Sequence, residues 1–315
     1  MQQYGQIEMD QKLRSYSSVF SRTVFSDLIK YNCIDKFQEV FLSYDAKAIK
    51  TKTIEAYLAH IYRSLSKHYR CEYIYKNEII NSLLLKKFGT AKTIAFNEFK
   101  VGNSIADMVM FNGESKAFEI KTEFDTKKRL FGQICDYTRL FQKCYVVVPE
   151  EKVQSFEDCV GPNIGIIALK YLKRHIELHE YREAVANQSI DAELVMRSLR
   201  TEEYKHLVST YFDRLPDVSS FDMFDVCMEL IKKIPDRDLQ ILYLKEIEGR
   251  KTCTQYLKDI PSAARQMCLS MNLNKKNAFI LTEKLKQIKL DISFFTDYAS
   301  IMKIMLIKNK EIVFC

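Results

Sequence analysis

Asp107, Glu119 and Lys121 are the side chains whose types and spacing point most directly to chemistry. Two apolar segments, 105–111 and 117–124, flank a polar Asn-Gly-Glu-Ser connection, and this pattern is typical of a β-hairpin. The sequence therefore places one acid in the first strand and an acid-x-lysine triplet in the second.

Glu119 and Lys121 are two residues apart, so in a strand they project from the same face of the sheet. A carboxylate pair with a lysine beside it suits metal-assisted attack on a phosphodiester. The carboxylates hold a hard divalent cation, which lowers the pKa of a water molecule and neutralises phosphate charge, while the lysine orients that water. The alternative interpretation is a strand-edge acid, Asp107, next to a surface ion pair.

The segment after the hairpin predicts a helix over 127–141, with apolar residues in steps of three and four. Gln133 and Tyr137 are one helical turn apart, so they share a face of this helix. A short apolar run at 144–148 follows and predicts a buried strand.

The segment before the hairpin predicts a helix over Glu72–Phe88 that contains Glu78 and ends at Gly89. A strand is expected over Lys92–Val101, and a last strand over Asn163–Leu169. The expected order is helix, three strands, helix and two strands.

This arrangement resembles the PD-(D/E)XK nuclease superfamily, which has the restriction-endonuclease-like fold, and the Gln-x-x-x-Tyr helix resembles its RecB-type branch. The similarity covers roughly residues 72–169. Ala106 stands where many members have a proline before the first acid, and other members also lack that proline. The whole layout is also similar to an uncharacterised group of bacterial proteins with this core.

The resemblance implies a role for each matching residue. The implied metal ligands are Glu78, Asp107, Glu119 and the carbonyl of Ile120; the implied catalytic residues are Asp107, Glu119, Lys121, Gln133 and Tyr137. The implied cofactor is Mg²⁺ or Mn²⁺.

Positive charge predicts contact with nucleic acid. The net charge is +7, and residues 1–100 hold 16 Lys and Arg against 10 Asp and Glu. Such a field favours phosphate contact, although a mildly basic protein without that function has the same balance. Candidate phosphate-binding residues near the site are Lys127, Lys128, Arg129 and Arg139. A further set along the N-terminal helices is either a basic arm or a solvated face: Lys47, Lys50, Lys52, Arg63, Lys67 and Arg70.

Cysteine and histidine spacing predicts no further metal site. The nine cysteines form no Cys-x-x-Cys pair, so we expect a reducing, cytoplasmic compartment and no iron–sulfur cluster. His175 and His179 are four residues apart but lack an evident third ligand, which favours surface or packing roles. We expect no membrane span, because no apolar run reaches roughly 18 residues.

These patterns predict an α/β protein with a restriction-endonuclease-like core, in which helices flank a mixed central sheet. We expect three regions: a helical N-terminal arm over residues 1–70, the core over 71–175, and an all-α C-terminal region over 176–315. Apolar periodicity predicts a helix over 25–42 in the arm, and further helices over 193–212, 236–248 and 293–307 in the C-terminal region. The C-terminal region is a candidate surface for a protein partner or a homodimer.

The leading hypothesis is a metal-dependent nuclease that acts on DNA rather than RNA, in bacterial defence or a mobile element. One alternative is a non-catalytic nucleic-acid- or protein-binding module that retains the fold. Another is a conditional effector whose C-terminal helices restrain the nuclease, which rests on analogy with the family.

Overall fold

The computed structural model describes residues 2–46, 51–172 and 175–291. These residues form two compact units. The first comprises the described parts of Met1–Tyr69 and Lys275–Cys315, and the second is Arg70–Asn274. The chain therefore leaves the first unit, forms the second, and returns to the first.

The helices and strands are numbered in chain order. The α-helices are α1 (Gln2–Val19), α2 (Arg22–Tyr31), α3 (Asp35–Tyr44), α4 (Ile54–His68), α5 (Glu72–Glu78), α6 (Leu130–Thr138), α7 (Val153–Glu157), α8 (Ala192–Ser198), α9 (Thr201–Phe212), α10 (Met223–Ile231), α11 (Asp236–Glu248), α12 (Arg265–Ser270) and α13 (Lys275–Gln287). The strands are β1 (Thr51–Thr53), β2 (Ile94–Val101), β3 (Ser104–Phe111), β4 (Ser115–Ile120), β5 (Lys143–Pro149), β6 (Gly165–Leu172), β7 (His175–Arg182) and β8 (Lys289–Asp291).

The second unit contains a six-stranded mixed sheet with the order β2-β3-β4-β5-β6-β7. β2, β3 and β4 are antiparallel neighbours, β4, β5 and β6 run parallel, and β7 is antiparallel to β6. The parallel step from β4 to β5 requires a crossover, which α6 provides. This confirms the predicted mixed α/β architecture with helices around a central sheet.

The predicted hairpin is the β3–β4 connection. Its turn contains Gly113 at φ 79°, a left-handed conformation that glycine adopts without steric cost. Met108 pairs with Phe118, so the next position along the two antiparallel strands brings Asp107 beside Glu119. The turn thus sets the register that joins the two acids.

The helices after the sheet complete its core. Phe111 of β3 packs against Phe141 and Tyr243, with ring centroids 6.0 and 6.2 Å apart. Val195 of α8 is fully buried in the same cluster. Burial of each large aromatic ring stabilises the fold by roughly 2–3 kcal/mol, so these helices are part of the sheet's own core.

This packing explains why the observed units differ from the three predicted regions. Residues 176–274 belong to the same unit as the sheet: β7 is one of its strands, and apolar side chains between 190 and 247 are buried in its core cluster. The C-terminal region is also not all-α, since His175–Arg182 and Lys289–Asp291 are strands. His175 and His179 are exposed on β7 rather than on a helix.

Two predicted helices are interrupted. The segment 25–42 divides into α2 and α3 at Asn32, whose φ of 58° ends the first helix. The segment 193–212 divides into α8 and α9 before Arg200, whose backbone N–H donates to Glu203 Oε2 at 2.7 Å. Local capping therefore ends helices that apolar periodicity alone would extend.

The helix predicted over Glu72–Phe88 is α5 followed by a π-helical segment, Ile79–Phe88. A π-helix has a wider turn than an α-helix, so side chains beyond Glu78 turn differently from the predicted α-helical positions. In contrast, α11 has the bounds predicted from the sequence, Asp236–Glu248.

The first unit is mostly helical. α1 contacts α3 and α4, Phe41 of α3 packs against Tyr57 of α4, and α13 packs against α2 and α4. β1 and β8 form a two-stranded antiparallel sheet. The helix predicted over 293–307 lies outside the described residues.

Candidate active site

Asp107 of β3 and Glu119 of β4 form the centre of the site. Asp107 Oδ2 accepts a hydrogen bond from the Ile120 backbone N–H at 2.8 Å. The Asp107 side chain is 23% exposed, whereas that of Glu119 is 2% exposed. One acid therefore reaches solvent, and its neighbour is buried behind it.

Lys121 follows directly after β4. Its backbone N–H donates to the Val147 carbonyl of β5 at 2.9 Å, which keeps it aligned with the sheet. Its ammonium donates to Glu119 Oε1 at 2.7 Å and to Gln133 Oε1 at 3.0 Å. Lys121 is only 6% exposed, so this is a buried pair and not the surface ion pair of the alternative interpretation.

α6 brings two further predicted residues to the same group. The Tyr137 hydroxyl lies 2.7 Å from Glu119 Oε2 and 2.8 Å from the Ile105 carbonyl, and its single proton serves these two acceptors. Burial and the charge of Glu119 raise the pKa of Tyr137 well above its usual value. Tyr137 therefore acts as a hydrogen-bond donor that fixes the buried acid.

A contact with the β2–β3 turn fixes α6. Ser104 Oγ donates to Asp136 Oδ2 at 2.6 Å. Gly102 has φ 57°, and a β-carbon there would approach the Asp136 carboxylate to 3.2 Å. The turn glycine thus allows the close approach that holds the Gln133–Tyr137 face toward the acids.

The preceding helix contributes a lysine that the sequence interpretation did not identify. Lys76 Nζ lies 2.5 Å from Glu72 Oε1 and 3.8 Å from Asp107 Oδ1. Glu72 and Lys76 are one turn apart on α5, so the helical spacing was the signal that linked them.

Glu78, the predicted helix acid, has other neighbours. Its Oε1 lies 3.5 Å from Asn81 Nδ2, and its charge acts on Arg265. The helix acid whose charge acts on Asp107 is Glu72. A step of six residues from 72 to 78 turns a side chain well away from the first position on an α-helix, which explains the difference.

The acids are not evenly compensated. Burial, together with the negative charge of Glu119, raises the pKa of Asp107 to about 7. Lys76 and the Ile120 N–H act in the opposite direction, and Glu72 adds to the rise. Because a nearby cation favours ionised carboxylates, the pair has the electrostatic character of a cation site.

Carboxylate and carbonyl oxygens are the ligand types that hard divalent cations such as Mg²⁺ and Mn²⁺ prefer. Asp107 and Glu119 supply two adjacent carboxylates, and the Ile120 carbonyl belongs to the residue between Glu119 and Lys121. Among the residues that the structure describes, no group of three or more His, Cys, Asp or Glu side chains is arranged to hold a metal ion. A cation bound here would therefore have two side-chain carboxylates as ligands, those of Asp107 and Glu119.

The predicted phosphate-binding residues have different surroundings. Lys127 donates to the Ser155 carbonyl at 2.5 Å, and Arg139 NH2 donates to Asp191 Oδ2 at 2.5 Å. Lys128 and Arg129 are exposed just before α6. Of these four residues, Lys128 and Arg129 remain the clearest candidates for phosphate contact.

The basic residues of the predicted arm also differ from one another. Arg70, in the second unit, pairs with Glu123 and Glu151 at 2.9 and 2.7 Å. Arg63 donates to the Ala59 carbonyl within its own helix. Lys47 and Lys50 lie outside the described residues. The guanidinium groups of Arg70 and Arg63 are therefore engaged in contacts within the protein.

Two further observations concern the cysteines and the lengths of the helices. The eight cysteines within the described ranges are free thiols, and Cys315 lies outside those ranges. None of the helices in residues 2–46, 51–172 and 175–291 is long and apolar enough to span a membrane.

Protein cII of Enterobacteria phage P4 is 25% identical over 130 residues, which cover 41% of this chain and 49% of that protein. This chain thus spans about half the length of that relative. A solved structure of a protein of unknown function from Silicibacter pomeroyi has a TM-score of 0.26 and 13% identity, and the match covers 41% of this chain and 86% of that one.

A family model described as bacteriophage P4 protein cII matches residues 65–275, which is more than half of the 315-residue chain. These bounds lie within a few residues of those of the unit Arg70–Asn274, which contains the site. The chain therefore belongs to the bacteriophage P4 protein cII family.

Proposed function

We propose that the unit Arg70–Asn274 has a restriction-endonuclease-like core and is a metal-dependent nuclease. The observation that carries this proposal is the single hydrogen-bonded group formed by Glu119, Lys121, Gln133 and Tyr137, with Asp107 held beside it by the Ile120 N–H. Residues on two strands and a helix converge there: spacing predicted that Glu119 and Lys121 share a face, and the resemblance implied that Gln133 and Tyr137 join them.

The order of elements also supports the proposal. α5 precedes three antiparallel strands, α6 follows them, and β5 then runs parallel to β4. This is the order expected from the resemblance. It places both acids on adjacent strands beside the helix that carries Gln133 and Tyr137.

A divalent cation bound by Asp107 and Glu119 would supply Lewis acidity and neutralise charge on a phosphodiester. The helix acid whose charge acts on Asp107 is Glu72 and not Glu78, so this proposal does not use Glu78 as a metal ligand. Mg²⁺ and Mn²⁺ both suit oxygen ligands of this kind.

The protein residues have separable roles. Lys121 holds its ammonium at the acid pair, where it orients the attacking water and offsets negative charge. Gln133 accepts a hydrogen bond from Lys121, and Tyr137 donates to Glu119, so α6 fixes the two buried groups. Lys128 and Arg129 would contact the phosphate backbone without reading sequence.

The test is a cleavage assay with supercoiled, linear and single-stranded DNA and with structured RNA, in Mg²⁺, Mn²⁺ or EDTA. We expect metal-dependent cleavage, reduced about a hundredfold or more in Lys121→Ala and Glu119→Gln. Lys116→Ala is the matched control. Lys116 is also a buried lysine, but it lies at the start of β4 and pairs with Glu114 at 2.9 Å.

Thermal unfolding of each variant separates a lost reaction from a lost fold. Unchanged cleavage by a folded Glu119→Gln protein would refute the assignment. The nucleic acid that is cleaved would identify the substrate class.

A second candidate is a binding module that uses the same fold without cleavage. It is favoured by the position of Lys76, whose ammonium already lies 3.8 Å from Asp107 and supplies a positive charge there. Metal-independent nucleic-acid binding by a folded wild-type protein, with no cleavage in any metal, would support this candidate.

A further inference from the structure

Lys76 is a buried lysine that the proposed reaction does not use. Its side chain is 6% exposed, and its ammonium lies between Glu72, at 2.5 Å, and Asp107, at 3.8 Å. Glu72 itself is 56% exposed. The ammonium thus contacts one carboxylate near solvent and faces another within the site.

A buried ammonium is costly unless charge and hydrogen bonds compensate it. Here the compensation includes the acid pair, since the charge of Lys76 favours ionised Asp107 while Glu119 and burial disfavour it. Lys121 is already paired with Glu119 at 2.7 Å. The two lysines therefore divide the two acids between them.

We propose that Lys76 is an internal counter-ion that competes with a divalent cation for Asp107. This inference rests on the proposed function, because it concerns the same cation site. The ammonium supplies part of the positive charge that the metal would bring. An ammonium and a divalent cation at the same carboxylate repel each other strongly in a poorly solvated site. Metal entry requires the ammonium to withdraw, and exposed Glu72 gives it a partner nearer to solvent.

The consequence is that the free protein binds divalent cations weakly. Neutralising Lys76 removes the competitor and should tighten binding. Replacing Lys76 by arginine keeps the positive charge and should not tighten metal binding. This effect has the opposite sign from that of a lysine that merely supports the fold or contacts substrate.

The experiment is a titration of the metal-free full chain with Mn²⁺, in which free Mn²⁺ is measured by electron paramagnetic resonance. We expect Lys76→Met to lower the Mn²⁺ dissociation constant roughly tenfold or more, because a unit charge next to the ligand is removed. Lys76→Arg should bind no more tightly than wild type. Lys116→Met is the matched control, since Lys116 is equally buried but pairs with Glu114, and its affinity should match wild type.

Asp107→Asn shows whether binding occurs at the proposed site. If wild-type binding depends on Asp107 but Lys76→Met binds equally or more weakly, the competition is refuted while the proposed metal site stands. If no variant shows Mn²⁺ binding that depends on Asp107, the proposed metal site and this inference both fail.

Folding is checked by thermal unfolding in EDTA, with Lys76→Gln as a second neutral variant. Loss of the fold in both neutral variants would assign Lys76 a structural role and overturn the proposal. Tighter Mn²⁺ binding by either folded neutral variant, with the control unchanged, supports it.

Discussion

Each unit of the protein contains a buried carboxylate held by tyrosine, and the two sites differ in how their charge is compensated. In the first unit the acid is Asp45, at the end of α3. In the second, Asp107 and Glu119 lie side by side. The family match includes the second site but not the first, since it covers residues 65–275.

Asp45 has an excess of donors. The hydroxyls of Tyr16 and Tyr57 donate to it at 2.7 and 2.8 Å, and the Lys12 ammonium donates at 3.1 Å. His60 Nε2 lies 3.7 Å away. Although burial alone would raise the pKa of Asp45, these partners hold it well below its usual range. A single charge therefore joins α1, α3 and α4.

The acid pair of the second unit has the opposite balance. Glu119 accepts hydrogen bonds from both Lys121 and Tyr137. Asp107 accepts one hydrogen bond, from a backbone N–H, and the Lys76 ammonium lies 3.8 Å away. Its pKa is accordingly raised. A fully satisfied buried acid is typical of a structural role, whereas a partly compensated pair is what the proposed cation site requires.

Among the substitutions that test this comparison, we predict the largest change in stability for Asp45→Asn. It should lower the free energy of unfolding by about 3–5 kcal/mol, because the charge that Lys12 and the two tyrosine hydroxyls compensate is lost. Urea unfolding with thermal melting measures the change. Glu39→Gln is the control, since Glu39 pairs with Lys36 at the surface of the same helix and should contribute less than about 1 kcal/mol.

A loss at Asp45→Asn no larger than that of Glu39→Gln would show that the donors do not need the charge. The structural role of Asp45 would then rest on packing alone, and the contrast with the acid pair would fail.

Asp107→Asn should change stability in the opposite direction. A carboxyl group with a raised pKa stabilises the fold only while it is protonated, so its contribution declines as pH rises from about 4 towards 7. Metal-free wild type should therefore lose roughly 3 kcal/mol across this interval relative to Asp107→Asn. The measurement is urea unfolding in EDTA at several pH values between 4 and 8.

The Asp45 contribution does not interfere, because a lowered carboxyl pKa affects stability at more acidic pH. Parallel pH profiles for wild type and Asp107→Asn would contradict the raised pKa of Asp107.

The sequence predicted the acid pair because its main determinants are local. A turn of fixed length joins the two strands, and strand and helix periodicity determine which side chains of 119–121 and 133–137 share a face. The resemblance then supplied the order of the surrounding elements. The site at Asp45 had no such local signal, because its partners come from α1 and α4 and meet only through tertiary packing.

Lys76 and Glu78 illustrate the same limit within one helix. Helical spacing links Glu72 to Lys76, but which face meets Asp107 depends on how α5 packs against the sheet, which periodicity does not specify. The amino-acid pattern after Glu78 does not predict the change to a π-helix. Likewise, the C-terminal helices were predicted as elements, but their role in the sheet's core required the contacts of Phe111 with Tyr243.

The smallest predicted effect compares two tyrosine hydroxyls, Tyr57 and Tyr137. Either Phe variant should lose about 1 kcal/mol of stability, since each removes one hydrogen bond to a carboxylate. Only Tyr137→Phe should also reduce cleavage, by about tenfold, because Glu119 loses the donor that fixes it beside Lys121. Asp45 keeps two other close donors when Tyr57 is replaced. Matched unfolding and cleavage measurements on both variants test this difference, and an equal loss of cleavage in Tyr57→Phe would show that stability, rather than placement of the buried acid, limits the reaction.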